Sequence, residues 1–275
     1  MAFDPDLAER LRSEKAAPLI MDPDKAALLI QDGMAVGISG FTNAGYPKEV
    51  PHALAQQALS GRKVKIDLYS GASVGPEVDT ELAEAGVIRK RLPYQTNSSL
   101  RKLINAGQVD YVDMHLGRSP EFVGGGHVRK PDVALVEALA ITEEGNLIPT
   151  TSVGNTPTYV EEADTVIVEI AMAKPLALEG MADVYMCEKP PFRKPIPLTH
   201  AGDRIGTPYI KCGWDKIKAI VISDKSDLTR PLAPISEDSK KIGQNIIKFL
   251  EKANSIYYTI DTIFSQLSKF FVCIT

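Results

Sequence analysis

Four stretches of the chain are apolar almost throughout, and segments rich in charged residues and glycine separate them. Strands that are buried on both faces of a parallel sheet have this pattern. These stretches are MAVGIS (34–39), DVALVEALAI (132–141), DTVIVEIA (164–171) and DKIKAIVIS (215–223). A fifth stretch, KVKIDLYSG (63–71), alternates Val64, Ile66 and Leu68 with polar residues, which predicts one more strand.

The segments between these strands have the signals of helices. Asp22-Pro23 opens one helix and Gly33 closes it. Further helices are predicted over KEVPHALAQQALSG (48–61), from about Glu77 to Ala85, and over LRKLINAG (100–107), whereas Gly145-Asn146 predicts a hairpin turn. Strands that alternate with helices in this way predict an α/β fold, with an open, mostly parallel sheet and helices on both faces.

The C-terminal third of the chain changes character twice. EKPPFRKPIPLTHAGDRIGTP (188–208) is proline-rich and irregular, which is typical of a functional or interface-forming connection. SEDSKKIGQNIIKFLEKA (236–253) predicts an amphipathic helix capped by Ser236. From Ser255 onward, 21 residues contain five aromatic side chains and two charges, which indicates a hydrophobic tail of foreign composition.

Composition excludes several classes of protein. A net charge of −4 gives no basic footprint for nucleic acid, and no apolar run reaches the length of a membrane span. The N-terminus lacks the apolar core of a secretory signal, so we expect a cytoplasmic protein, with a mitochondrial or related organelle as the alternative. Three widely spaced cysteines indicate a reducing compartment, and the four histidines lack metal-ligand spacing, so no metal site is predicted.

Candidate chemistry lies in two glycine-rich loops, each of which follows a predicted strand. In SGFTNAGYPK (39–48) the glycine spacing begins like a phosphate-binding P-loop, but the Lys-Ser/Thr pair that completes it is missing. GASVG (71–75) matches the nucleophile elbow of a serine esterase, without a downstream histidine in a catalytic context. Small polar residues at such strand ends suit the binding of a carboxylate or thioester oxygen, although each one taken alone fits a helix cap or a turn equally well. These residues are Thr42, Ser73, Thr96 and Asn97.

Many segments in the same order resemble one family. They include SGFTNAGYPKEVPHALAQ, SGASVGPEVDTELAEAGVIRKRLPYQTN, VDMHLG, VALVEALAITEEGNLIPTTSVGN, LEGMADVY, PPFRKPIPLT and DRIGTPYI. Over about residues 18–253 the chain resembles the acetyl-CoA hydrolase / succinyl-CoA:acetate CoA-transferase family, of the class I CoA-transferase kind. We therefore divide the chain into an N-terminal extension (1–17), a family-like N-terminal domain (18–253) and the atypical tail (254–275).

The resemblance implies a CoA-transferase/NagB-like fold of two similar α/β domains with the active site between them. It implies transfer of CoA from succinyl-CoA or another acyl-CoA to acetate or propionate, through a glutamyl-CoA intermediate, with thioester hydrolysis as a side activity. Coenzyme A would be a substrate, and no covalently bound cofactor is implied. Ser73 and Thr96 match family positions that help to hold the acyl carboxylate, and Gly40, Phe41 and Thr42 lie in the family's signature loop beside the cleft.

The chain departs from the family in its length, because family members are about twice as long. The catalytic glutamate would lie in the half that is missing here, so the catalytic residue of this chain is unknown. Glu137 and Glu169 lie on predicted buried strands, and we expect them to have structural roles. We expect little or no activity from the isolated chain. Alternatives are a non-catalytic subunit that completes a split CoA-transferase, a homodimer or, less favoured, a serine esterase that uses Ser73.

Overall fold

The computed structural model of the chain describes residues 5–72, 74–229 and 232–252. Within these ranges the strands form one eight-stranded sheet in the order β4-β3-β2-β1-β5-β7-β8, with β6 paired to β5. All neighbours along this order are parallel, and only the β5–β6 pair is antiparallel. The strands are β1 (Ala35–Gly37), β2 (Ile66–Tyr69), β3 (Ile88–Leu92), β4 (Asp110–Tyr111), β5 (Val133–Ile141), β6 (Leu147–Pro149), β7 (Thr165–Ala171) and β8 (Ile217–Ser223).

Helices pack on both faces of the sheet, as the sequence predicts. Alternate residues of β5 point to opposite faces: Val133 and Leu135 join one apolar core, and Ala134 and Val136 join the other. The helices are α1 (Pro5–Arg10), α2 (Pro23–Ala27), α3 (Glu49–Leu59), α4 (Leu82–Glu84), α5 (Ser98–Asn105), α6 (Ser119–Gly124), α7 (Thr156–Glu162) and α8 (Glu237–Lys252). Short 3-10 turns cover Glu14–Leu19, Leu116–Arg118 and Leu176–Leu178.

The helix predicted from Glu77 to Ala85 is present, but its first turn is wider than an α-helix. Glu77–Glu81 form a π-type turn that continues directly into α4. Turns of this kind recur at functional sites. This one immediately follows the glycine-rich segment after β2, so it sets the direction in which that segment leaves the sheet.

The order of the strands reverses beside β1. From β1 the chain adds β2, β3 and β4 on one side, whereas β5, β7 and β8 lie on the other side. Open α/β sheets bind their ligands at the carboxyl ends of the strands where the order reverses. Val36 of β1 pairs with Val133 of β5, and β5 continues well beyond the end of β1. The loop after β1 therefore begins beside the part of β5 that extends past β1.

α8 belongs to a separate unit that begins at residue 230. Its predicted cap is present, since the Ser236 hydroxyl accepts the backbone N–H of Ser239 at 3.1 Å. The atypical tail, 254–275, lies outside the described residues. None of the helices in the described ranges is both long enough and apolar enough to cross a bilayer.

Candidate functional site

The loop after β1, residues 39–48 (the first loop), turns back on itself at its tip. Phe41 and Ala44 exchange two backbone hydrogen bonds of 2.9 and 3.0 Å. The two residues between them, Thr42 and Asn43, have φ angles of 50° and 67°. Two central residues with positive φ define a type I′ turn. The turn projects Phe41 outward, with 58% of its surface exposed.

The segment after β2, residues 70–72 and 74–76 (the second loop), lies directly against the first loop. A Cβ atom on Gly71 would be only 2.6 Å from the hydroxyl oxygen of Ser39, and one on Gly75 would overlap the ring of Tyr46. Glycine is therefore required at both positions for the two loops to approach this closely. Ser73, the predicted ligand or nucleophile of this loop, lies outside the described residues.

Residues 150–155 (the third loop) complete the contact. The backbone N–H of Asn155 donates to the Ser39 hydroxyl at 2.9 Å, and the Asn155 side chain donates to the carbonyl of Ser70 at 3.1 Å. The Ser152 hydroxyl donates to the carbonyl of Ala44 at 3.1 Å. One loop thus ties the other two together at the point where the strand order reverses.

Four charged side chains, which we call the ion cluster, lie beneath the first loop: Lys48, Glu137, Lys174 and Asp227. Lys48 contacts Glu137 at 2.5 Å and Asp227 at 3.0 Å, and Lys174 contacts Glu137 at 3.0 Å and also Asp227. All four side chains are at least nine-tenths buried. The two lysines balance the charge of the two carboxylates, and each lysine contacts both carboxylates.

Neighbouring polar groups satisfy the rest of the ion cluster. Lys48 donates its third hydrogen bond to the carbonyl of Tyr46 at 2.8 Å, and Lys174 donates its third to the Thr151 hydroxyl at 2.9 Å. An ammonium group has three donors, so both lysines are saturated. Burial by itself lowers the pKa of Lys48, but Glu137 and Asp227 outweigh it and the pKa is raised. Burial by itself raises the pKa of Asp227, and the two lysines outweigh it and lower that pKa.

Glu169 lies beside Glu137 on the neighbouring strand and caps the helix that follows the first loop. Its carboxylate accepts the backbone N–H groups of Lys48, Glu49 and Val50 at 2.6 to 3.0 Å. These are donors of the first turn of α3, which have no partners within the helix. Burial raises the pKa of Glu169 to about 7, against the opposing effect of the three amides.

Tyr46 connects the two glycine-rich loops. Its hydroxyl donates to Glu77, in the π-type turn, at 2.8 Å, and the ammonium of Lys48 lies 4.3 Å from the centre of its ring. Burial and the charge of Glu77 hold the pKa of Tyr46 well above its usual range, so the hydroxyl stays a donor. The ring is fully buried. It therefore serves as a packed wall between the loops.

The second loop has its own buried ion pair. Arg91, on β3, contacts Asp79 of the π-type turn at 3.0 Å, and both side chains are almost completely inaccessible. The other oxygen of Asp79 accepts the backbone N–H of Val74 at 3.2 Å. Arg91 thereby orients Asp79, and Asp79 holds the second loop.

The structure brings together Gly40, Phe41 and Thr42 in the first loop and places Thr96 elsewhere. Thr96 is exposed just before α5. The next residue, Asn97, caps α5 and donates to Thr80 of the π-type turn at 2.7 Å. The YQTN segment is therefore linked to the second loop through that turn. Its predicted role toward a ligand stays a prediction, as do those of Ser73 and of the first loop.

Two grooves open beside the irregular segment rather than at the first loop, with volumes of about 890 and 580 Å³. The larger one reaches Gly154 of the third loop. Its basic side chains are each paired with a carboxylate: Lys189 with Glu162, Arg193 with Glu121 and Lys194 with Glu188. Cys212 lines the smaller groove, and burial raises the pKa of its thiol to about 12. The exposed thiol of Cys187 lines the larger groove.

Within the described residues, no group of three or more histidine, cysteine or acidic side chains is arranged to hold a metal ion. The first and second loops together form a polar wall, which the third loop holds by hydrogen bonds. Its exposed part is the turn at Phe41–Ala44, whereas the adjoining glycines and the ion cluster are buried behind it.

Comparison with known proteins gives a consistent picture. The model of the acetyl-CoA hydrolase/transferase N-terminal domain matches residues 8–227. The chain is 50% identical over 245 residues to a succinyl-CoA:acetate CoA-transferase of Clostridium kluyveri, covering 89% of this chain and 46% of the relative. It is 36% identical to an acetyl-CoA hydrolase of Schizosaccharomyces pombe (91% and 50% covered) and 36% identical to a propanoyl-CoA:succinate CoA transferase of Escherichia coli (84% and 48%). The chain spans about half the length of the curated relatives that it matches.

Solved structures agree on the fold. RipA from Yersinia pestis superimposes with a TM-score of 0.59 at 15% sequence identity, covering 89% of this chain and 49% of that protein. The acyl-CoA transferase YdiF from Escherichia coli O157:H7 gives a TM-score of 0.54 at 10% identity, covering 79% of this chain and 49% of that one. At such low identity these likenesses establish the architecture, and in both proteins this architecture accounts for about half of the chain.

Proposed function

The chain belongs to the acetyl-CoA hydrolase/transferase family, and from that premise we propose that it supplies the N-terminal half of an enzyme that moves CoA between an acyl-CoA and a short-chain carboxylate. The observation that carries the proposal is the 50% identity, over 89% of this chain, to a succinyl-CoA:acetate CoA-transferase. Succinyl-CoA and acetate are therefore the first substrates to test. Propionate is the next acceptor, because another relative is named a propanoyl-CoA:succinate CoA transferase.

The first and second loops form one wall of the proposed acyl site. In this proposal Gly40, Phe41 and Thr42 border the cleft, and Ser73 and Thr96 hold the carboxylate of the acyl group or acceptor. The position of the first two loops, in contact at the carboxyl ends of neighbouring parallel strands, supports it. The burial of the ion cluster beneath the first loop also supports it, since the exposed turn at Phe41–Ala44 carries no charge, which suits the neutral thioester.

The nucleophile of the proposed reaction is a glutamate in the part of the relatives that this chain does not span. The carboxylate attacks the thioester carbonyl and expels the CoA thiolate, which gives an acyl-glutamyl anhydride. The thiolate then attacks the glutamyl carbonyl, releasing the first carboxylic acid as its anion and leaving glutamyl-CoA. Acetate reverses the sequence to give acetyl-CoA. Both additions develop an oxyanion that positioned donors must stabilise.

Glu137 and Glu169 do not suit this role. Both oxygens of Glu137 are occupied by Lys48, Lys174 and Thr150, and Glu169 is 99% buried with its oxygens on three amides of α3. A carboxylate that attacks a thioester has to reach it with a free lone pair. This geometry supports the proposal that the isolated chain has little or no transferase activity and works with a complementary half, or within a dimer.

The test is to incubate the purified chain with succinyl-CoA and acetate, alone and after mixing with the C-terminal half of the Clostridium kluyveri relative. We expect acetyl-CoA to form in the mixture and not with either half alone. Turnover by this chain alone, at a rate comparable to the full-length relative, would refute the assignment of the nucleophile. A mixture that binds but does not turn over would favour a non-catalytic subunit. Labelling with a fluorophosphonate reports on Ser73 as an esterase nucleophile, and we expect none.

A further inference from the structure

The tip of the first loop holds a strained conformation. Thr42 has a φ of 50°, in the left-handed region that β-branched residues avoid, and Asn43 follows with 67°. Strain of this kind persists only where the surrounding structure over-determines it, and it concentrates at functional sites. Some part of the molecule must therefore hold the turn at Phe41–Ala44 in place.

The segment that leaves β8 provides that hold. The backbone N–H of Gly45, directly after the turn, lies 3.3 Å from both carboxylate oxygens of Asp227. The side chain of Asn43, inside the turn, donates to the carbonyl of Leu228 at 3.2 Å. Two consecutive residues after β8 thus bind the turn at two points, across more than 180 positions of sequence.

The carboxylate of Asp227 is itself fixed from three sides. Lys48 contacts it at 3.0 Å, Lys174 contacts the other oxygen, and the Thr151 hydroxyl donates to it at 3.1 Å. These partners come from the end of the first loop, from the segment after β7 and from the third loop. Asp227 is therefore the member of the ion cluster that connects the cluster to the turn, through its contact with Gly45.

We propose that Asp227 is a positioning residue, which holds the strained turn at Phe41–Ala44 in the conformation that meets an acyl-CoA. The part that concerns the ligand rests on the proposed function, whereas the hold on the turn does not. Asp227 itself does not touch the ligand in this proposal. It acts through Gly45 and through the neighbouring contact of Leu228 with Asn43.

Hydrogen exchange measured by mass spectrometry on the full chain tests the hold. In Asp227→Asn we expect amides of residues 39–47 to exchange about tenfold faster, because the hydrogen bond from Gly45 loses its charge and the two lysines lose one carboxylate partner. Peptides from β5 should keep their protection, which shows that the domain is folded. The matched control is Asp224→Asn, an exposed aspartate three residues earlier, and it should leave the exchange of the first loop unchanged.

A second variant covers the case in which Asp227→Asn fails to fold. Asn43→Gly keeps the left-handed backbone and removes only the bond to Leu228. We expect faster exchange in 39–47 with the midpoint of urea unfolding almost unchanged, a combination that loss of general stability does not produce. Unchanged exchange of the first loop in both variants would overturn the proposal.

Millimolar acetyl-CoA separates this proposal from the proposed function. We expect it to slow exchange in 39–47 of the wild-type chain and of Asp224→Asn, and not of Asp227→Asn. If acetyl-CoA protects neither the wild-type chain nor any variant, the ligand assignment fails. The exchange rates without ligand then still show whether Asp227 holds the turn. If it protects Asp227→Asn as well as wild type, the turn binds ligand without Asp227 and the positioning role is refuted.

Discussion

The first and second loops lie against each other, yet the structure anchors them in different ways. The second loop depends on one ion pair, Asp79 with Arg91, whose members are 12 positions apart in sequence. The first loop depends on the ion cluster, whose members come from four separate segments of the chain. A local pair fixes one loop relative to the next strand, β3, whereas the cluster links the other loop to β5 and to the segments after β7 and β8. The loop with the strained turn is the one with the wider anchor.

The largest effect is expected from Lys48→Met, which tests the wider anchor. It leaves Glu137 and Asp227 each with one lysine, and breaking buried pairs in this way costs about 3 to 5 kcal/mol. The free energy of unfolding in urea gives the measurement. Lys63→Met, on the surface, is the control and should change that energy by no more than about 0.5 kcal/mol. A loss as small as that of the control would mean that the cluster is not an anchor.

The local pair should respond differently to removal of both charges. Arg91→Met alone is expected to cost about 3 kcal/mol, since it strands Asp79, whereas the double variant with Asp79→Leu should regain most of this loss. A double-mutant cycle on unfolding measures the difference. The same cycle on Lys48 and Glu137 should regain less, because Asp227 and Lys174 each lose a partner. Equal recovery in both cycles would contradict the distinction between the two anchors.

Glu169 makes the anchoring of the first loop depend on pH. Its pKa in the folded chain, about 7, is above the ordinary value of 4.5, so between these values the folded state holds the extra proton. Stability from this group therefore falls as the pH rises from about 4.5 to 7, by up to about 3 kcal/mol. Glu169→Gln should remove this fall in the free energy of unfolding between pH 5 and pH 7.5. Urea unfolding at both pH values measures it.

Glu162, whose pKa shifts in the opposite direction, serves as the control for this slope. Burial by itself raises the pKa of Glu162, but Lys189 and Lys130 outweigh it and the pKa is lowered. Its contribution is present above the unfolded pKa of 4.5 and is lost only as the pH falls below it, so Glu162→Gln should weaken the chain by nearly the same energy at pH 5 and at pH 7.5. If Glu169→Gln and wild type differ by the same energy at both pH values, the carboxyl group does not titrate in this range.

The smallest effect concerns the strain itself. Thr42→Asn places a residue that tolerates the left-handed region at the first central position of the turn, and it should raise the free energy of unfolding by about 0.5 to 1 kcal/mol. Thr229→Asn, at an exposed position, is the matched control. A variant at Thr42 that gains no stability would show that the turn is relaxed, and the first loop would then need no wider anchor than the second.

Much of the fold follows from local patterns. The apolar runs at 132–141, 164–171 and 215–223 became β5, β7 and β8, and Gly145-Asn146 became the turn before β6. β3 was missed, because Arg89, Lys90 and Arg91 occupy the centre of a five-residue strand. Only the pairing of Arg91 with Asp79, which is a tertiary contact, makes a buried arginine acceptable there.

The sequence predicts where the candidate site lies, but not which side chains contact one another there. The glycines of the two loops marked its position, and Glu137 and Glu169 were visible as single charges in apolar strands. Nothing in the local sequence links these two carboxylates to Lys48, Lys174 or Asp227, because such links depend on strand order. Thr42 carries no sign of a positive φ either, since β-branched residues are rare in type I′ turns.

The spread of the ion cluster along the chain sets an order in which the two loops can be completed during synthesis. Asp79 and Arg91 emerge early and close together, so the second loop can acquire its anchor as soon as β3 has formed. Asp227 is made 136 residues after Arg91, which takes about 7 to 27 s at ordinary rates of translation. Until Asp227 is made, the backbone N–H of Gly45 lacks its carboxylate acceptor. A nascent chain can therefore complete the second loop first, and the wall of its proposed site becomes complete only when β8 and the segment after it arrive.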